Sequence, residues 1–256
     1  MAIRTQHQIT GKTWFVTFTC FNWIHLFEIT QSYDIVYNWL KLIDEKYKIK
    51  TLGFIIMPNH VHLLLYLTDD KVNLNTVMSN AKRFMAYEFV KRLKQQENHE
   101  ILNILASGCS EKEKAKGQLH KAFEPSFDAK LIYSYEFLNQ KLDYIHHNPV
   151  NGKWRLCDDF TDYPHSSAAF YWLDKPHPFV QVTDYQDYYG SQGPLSRDPA
   201  VTKIIGYNHR HYGSLGPLSR NPAVTKSLIS NPTILPPVVY NFSQVRPVFL
   251  YRKQTW

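Results

Sequence analysis

His60 and His62 stand one residue apart in the apolar run "IIMPNHVHLLLYL" (55–67), and they are the first residues whose types and spacing suggest chemistry. A strand sends alternate side chains to opposite faces, so the two imidazoles emerge together while Val61 and Leu63 point the other way. Two imidazoles on one face can hold a metal. Two polar residues on the solvated side of a half-exposed sheet give the same pattern, and the motif alone does not choose between them.

A metal site needs further groups, and "LDYIHHNPV" (142–150) offers them. On a helix, Tyr144 and Asn148 are four apart and so share a face, roughly 40° from one another. Leu138, Leu142 and Ile145 trace the neighbouring apolar stripe, which leaves the tyrosine and the amide beside the packed seam. A Tyr in that position, in a chain with seventeen tyrosines, also fits plain amphipathic packing. His146 and His147 are alternative ligands. Asn148 precedes Pro149, which biases it out of α geometry.

The elements that must position these residues follow from periodicity. "KTWFVTFTC" (12–20) is aromatic and β-branched and predicts a strand. Ile35, Trp39, Leu42 and Ile43 recur at helical spacing in the next segment. "TLGFIIMPNHVHLLLYL" (51–67) is two apolar runs broken at Met57-Pro58-Asn59, an antiparallel hairpin whose second strand opens with the histidines. Residues 73–96 predict a second helix, with Leu74, Val77, Met78, Ala81, Phe84 and Met85 on its apolar side. The polar stretch from Glu97 to Lys121 predicts an irregular loop, and "FEPSFDAKLIYS" (123–134) a further strand. "YEFLNQKLDYIHHNPV" (135–150) is a third helix closed by Pro149, and "HSSAAFYWL" (165–173) a short fourth. The order strand, helix, strand, strand, helix, strand is the split β-α-β pattern. The expected fold class is therefore α+β, a ferredoxin-like antiparallel sheet with helices on one face.

Composition divides the chain. Ten of the fourteen prolines and five of the ten glycines follow Leu173, where helical periodicity also stops. There "YYGSQGPLSRDPAVTK" (188–203) returns as "HYGSLGPLSRNPAVTK" (211–226), a duplication too short and too proline-rich for a solenoid. From Gln181 onward eight Lys/Arg face three Asp, so most of the formal charge of +7 sits in this arm. The expected division is a folded domain over 1–175 and a basic, disordered tail over 176–256. A basic surplus favours polyanionic partners, nucleic acid first. Three cysteines without C-x-x-C spacing, no apolar leader and no long apolar run predict a soluble cytoplasmic protein without a membrane partner.

Taken together, "MPNHVHLLL", "KRFMAYEFVKRL", "LDYIHHNPVNGKW" and "DYPHSSAAFY" resemble the REP-associated tyrosine transposases, a branch of the single-tyrosine HUH transposases. The resemblance extends upstream to "WFVTFTCFNWIHLF" and covers roughly Lys12 to Trp172; the tail lies outside it. It implies the HUH nuclease fold, a metal pair at His60 and His62, a third ligand at Asn148 and a nucleophile at Tyr144. It further implies cleavage of single-stranded DNA beside hairpins, leaving a 5′-phosphotyrosine, in a bacterial, nucleoid-associated setting.

That chemistry needs these residue types. A divalent cation held by neutral imidazoles and an amide polarises a phosphoryl oxygen, and a phenol ionises more readily than an aliphatic hydroxyl. Ligand preference alone leans toward zinc, whereas the resemblance implies Mg²⁺ or Mn²⁺. Asn59, Lys82, Arg83, Lys91 and Arg92 are candidate DNA contacts, against the alternative of a turn residue and a solvated helix face. Two further readings stand beside the transposase: a catalytically silent hairpin-DNA-binding protein, and a zinc hydrolase using His60, His62 and His146 or His147. Monomer and homodimer are both open.

Overall fold

The computed structural model describes residues 12–69 and 71–189. The expected disordered tail, residues 176–256, lies outside that range from residue 190 onward. The described elements run β1 (Lys12–Thr19), a 3-10 turn at Phe21–Trp23, α1 (Leu26–Ile29), α2 (Tyr33–Tyr47), β2 (Lys50–Ile56) and β3 (His60–Leu67). They continue with α3 (Leu74–Gln95), α4 (His99–Ser107), α5 (Glu111–Lys114), β4 (Asp128–Leu131), α6 (Tyr135–His147), α7 (Ala168–Leu173) and α8 (Gln186–Tyr189).

The four strands form one antiparallel sheet in the order β2-β3-β1-β4, with α2 and α3 as the crossovers of a ferredoxin-like β-α-β-β-α-β unit. Register follows from the alternation of side chains. Trp14, Val16 and Phe18 of β1 and Val61, Leu63 and Leu65 of β3 pack with Trp39 and Leu40 of α2 and Met78, Met85 and Phe89 of α3. A slip of one residue would turn all of these to the wrong side, so burial pins the pairing.

The expectation of helices on one face holds for the two crossover helices. The third long helix takes the other face. Phe15 of β1 and Leu64 of β3 are apolar on that side too, and α6 covers them with Leu138, Leu142 and Ile145, all fully buried. Each such side chain contributes roughly 1.5–3 kcal/mol relative to exposure. The approach is close at Gly53 of β2, where an added Cβ would lie 2.6 Å from Leu142 Cδ1. The sheet is thus a middle layer, and the histidines sit on its α6 face.

Two further differences have simple causes. The stretch after Glu97 is not an irregular loop, because Asn98 caps α4 by accepting from the Ile101 amide and Ile101, Leu102 and Leu105 are buried. The folded unit also runs past residue 175. Val182 bridges Thr51 at the free edge of β2, Tyr185 is buried in the α6-side core, and the Tyr189 hydroxyl donates to Thr13 Oγ1 at 2.8 Å. These apolar anchors are single residues in a polar, proline-bearing context, so no periodicity announces them.

Candidate functional site

The hairpin between β2 and β3 turns on Pro58-Asn59, with the Met57 amide donating to the His60 carbonyl at 2.8 Å. That places His60 and His62 at the start of β3, paired across the sheet with Thr19 and Thr17 of β1. Their rings lie 4.7 Å apart at 77°, and each is only 5% exposed. Burial is the main cause that pushes His60 down to about 3 and holds His62 well below the ordinary imidazole value. Both are neutral at physiological pH, the state in which imidazole binds metal.

Each ring has its Nδ1 engaged. Asn59 donates from Nδ2 to the Trp23 carbonyl at 2.9 Å, which fixes its amide orientation, and its Oδ1 lies 2.7 Å from His60 Nδ1. His60 Nδ1 is therefore the donor, and its Nε2 carries a lone pair. His62 Nδ1 lies 2.7 Å from Thr17 Oγ1, while His62 Nε2 is buried without a hydrogen-bond partner. A buried bare imidazole nitrogen beside a second one fits a divalent cation.

The helix expected to face this pair does so. Tyr144 stands with its ring 5.1 Å from that of His62, and Phe15 links the two, stacking on His62 at 5.4 Å and meeting Tyr144 edge-on at 6.2 Å. Tyr144 is 43% exposed. Partial burial raises its phenol above the ordinary value, and a hydrogen bond with the Asn148 side chain opposes that rise. Asn148 is buried and keeps αR geometry (φ −55, ψ −43) despite Pro149, because the helix runs directly into a 3-10 turn, Asn148–Val150. The pre-proline bias yields here to packing.

His60, His62 and Tyr144 therefore come together, with Asn148 beside Tyr144, whereas His146 and His147 turn elsewhere. His146 is buried with Nε2 2.9 Å from Ser167 Oγ, and its Nδ1 accepts from Trp172 Nε1 at 3.3 Å. His147 meets the Phe160 ring at 4.1 Å in a tilted contact and pairs with Asp143 at 3.2 Å. Among the described residues no three His, Cys, Asp or Glu side chains gather as a metal cluster.

The basic residues of α3 are not brought to the site, since α3 packs on the opposite face of the sheet. Lys82 anchors a loop: its Nζ donates to the Glu124, Pro125 and Ser126 carbonyls at 2.6, 3.3 and 3.1 Å, and burial lowers its ammonium to about 8. Arg92 is likewise a tether, bidentate on Asp34 at 2.9 and 2.7 Å and bonded to Glu88 at 3.1 Å. Arg83 and Lys91 are exposed on the same distant helix. Asn59 is 1% exposed, with its amide engaged by the Trp23 carbonyl and His60 Nδ1.

No family model matches the chain, and no curated protein does. Solved structures similar to the chain include two transposases. A REP-associated tyrosine transposase bound to a REP hairpin shares 18% identity over 77% of this chain and all of the other, at a TM-score of 0.47. A candidate transposase from Deinococcus radiodurans R1 shares 16% identity over 56% of this chain and 95% of the other, at a TM-score of 0.26. At such values the site has to be read from its own residues.

Three neighbours escape the sequence reading. Thr17 braces His62, and only the β1–β3 register reveals it. Lys141, one turn before Tyr144, holds its ammonium 5.7 Å from the Tyr144 ring and 5.0 Å from Phe15, and its i−3 spacing was the available signal. Trp154 reaches His60 from the loop after α6, with ring centroids 5.7 Å apart. Among the described residues no helix is long and apolar enough to cross a membrane.

Proposed function

We propose that this protein is a tyrosine-transposase-like endonuclease and strand transferase acting on single-stranded or hairpin DNA, with Tyr144 as nucleophile. The observation that carries the reading is the approach of Tyr144 to His62, whose Nε2 is buried and bare. A packing tyrosine needs no bare imidazole beside it. A metal-assisted nucleophile does.

His60 Nε2, His62 Nε2 and the Asn148 amide oxygen would hold Mg²⁺ or Mn²⁺. When bound, the cation would polarise the phosphoryl oxygen and offset the charge that builds on it. Tyr144 Oη attacks phosphorus as the bond to the 3′-oxygen breaks. The phenol proton passes to solvent, the 3′-oxygen takes up a proton, and the 5′-phosphate remains esterified to Tyr144. One phosphodiester replaces another, so rejoining needs no nucleoside triphosphate. An amide N–H of Asn148 toward Tyr144 Oη lowers the cost of ionising the phenol. The Lys141 ammonium adds positive charge beside the same ring.

The zinc-hydrolase reading loses its third histidine, because His146 and His147 are held in other contacts. The silent DNA-binding reading makes a different prediction in one experiment. The protein is incubated with Mn²⁺ and labelled single-stranded hairpin DNA from the flanks of its own gene, and an SDS-stable adduct is sought. An adduct that is lost in Tyr144→Phe supports the proposal. Binding without an adduct, or cleavage that persists in Tyr144→Phe, overturns it.

A further inference from the structure

Two tryptophans border the histidine pair from outside, and nothing in the chemistry above uses them. Trp23 lies 5.9 Å from the His60 ring and is 47% exposed. Its backbone is left-handed (φ 57), as is that of Asn22 before it (φ 52), a conformation that non-glycine residues adopt rarely. The loop is held there from inside: Asn59 Nδ2 donates to the Trp23 carbonyl, and the Asn22 amide donates to Glu124 Oε1 at 3.0 Å. Ordinary packing would turn a large apolar ring inward. This backbone presents it outward, next to a metal ligand.

Trp154 also borders the same imidazole. It is half-buried, 5.7 Å from His60 and 5.6 Å from His25, and the Lys153 ammonium sits 5.4 Å over its ring. Aromatic faces beside a cation are what single-stranded nucleic acid requires: bases stack on the rings while lysine meets the backbone.

We infer that Trp23 and Trp154 form a base-stacking clamp that holds a nucleobase of single-stranded DNA next to the scissile phosphate. The inference rests on the nuclease reading and adds to it what positions the strand. The clamp is sequence-tolerant, since every base has a π-face. Asn59 makes it one unit with the metal pocket, because the same amide that orients His60 fixes the Trp23 loop.

The test measures fluorescence anisotropy of a labelled twelve-nucleotide oligothymidylate and of the matching abasic oligomer with the full chain. Trp23→Ala, Trp154→Ala and Trp154→Phe are compared with the unaltered protein, alongside Mn²⁺ affinity by calorimetry. Each alanine variant is expected to bind oligothymidylate about tenfold more weakly, the phenylalanine variant to recover most of that loss, and all to bind the abasic oligomer equally. Mn²⁺ affinity should not change. Equal loss on both oligomers, or a fall in Mn²⁺ affinity, would make the rings a shield for the histidines and overturn the clamp. Unchanged oligothymidylate affinity, with the Tyr144-dependent adduct intact, removes the clamp and leaves the nuclease reading standing. No affinity for either oligomer and no adduct in the unaltered protein removes both.

Discussion

Asn59 Oδ1 and His60 Nδ1 lie 2.7 Å apart, and this hydrogen bond leaves His60 Nε2 as the lone-pair nitrogen facing Tyr144's side of the sheet. The bond can run in only one direction, because the other end of the Asn59 amide already donates to the Trp23 carbonyl. A turn residue thereby sets the tautomer of the proposed metal ligand. Groups that orient a ligand in this way typically contribute 10–100-fold to metal affinity.

Asn59→Ala should therefore weaken Mn²⁺ binding by about 10–100-fold, with the fold retained. The stability loss should stay near 1–3 kcal/mol, the cost of leaving one or two buried groups unpaired. Titration calorimetry and urea denaturation of the same variant read the two effects separately. Metal affinity equal to that of the unaltered chain would show that His60 needs no brace.

Acid should destabilise the fold well before its carboxylates titrate. Burial is the largest cause that lowers His60 and His146 to about 3 and His62 well below 6.5, so the folded state holds these rings neutral where the unfolded chain protonates them. Their contribution is complete above the unfolded value near 6.5 and drains away as pH falls toward the folded one. Each ring contributes a slope of about 1.4 kcal/mol per pH unit in that window. His147 works oppositely: burial would lower it, but the bond to Asp143 outweighs burial and raises it, so its contribution is present in acid and fades as pH rises. Burial also lowers His165 to about 4 and lowers His120 and His177, so six lowered rings against one raised predict a urea midpoint that drops steadily from pH 7 to pH 5 without metal. A flat midpoint over that range would mean that the rings protonate in place.

Much of this site was legible in the chain because its parts are local. The H-x-H alternation and the four-residue spacing of Tyr144 and Asn148 each fix a face without knowledge of the rest. The hidden parts depend on pairing between distant segments. Thr17 reaches His62 through strand register, and Trp23 reaches Asn59 across 36 residues. Charge misled for the same reason. Lys82 and Arg92 read as free cations in sequence, yet their partners are the Glu124–Ser126 carbonyls and Asp34, brought near only by folding.

Arg92→Ala separates those two roles for a cation. Arg92 is a part-buried hub that joins α3 to Asp34 of α2 and to the Gln31 carbonyl at 2.7 Å. Removing a bidentate guanidinium pair of this burial should cost about 2 kcal/mol. Oligonucleotide affinity should change less than about twofold, because the residue lies on the sheet face away from the histidines and loses no phosphate contact. A tenfold loss of affinity with stability intact would return Arg92 to the DNA surface.

The boundary of the folded unit gives the last prediction. A chain ending at Lys175 loses Val180 and Tyr185, which are 4% and 1% exposed, and with them the Thr51–Val182 bridge on the free edge of β2. A chain ending at Tyr189 keeps all three and the hydrogen bond from the Tyr189 hydroxyl to Thr13. Emptying a buried Tyr and a buried Val costs roughly 4 kcal/mol or more, a large part of the stability of a domain of this size. The shorter chain also uncovers the Thr51 end of the β2 edge, whose other end stays bridged to Ser166, and an open edge favours pairing with other chains. In parallel expression the 1–175 chain should show a urea midpoint lower by at least 1 M, taking a slope of about 2–3 kcal/mol per molar, and should aggregate where the 1–189 chain stays monodisperse. Equal midpoints would place residues 176–189 outside the cooperative unit and restore the earlier boundary.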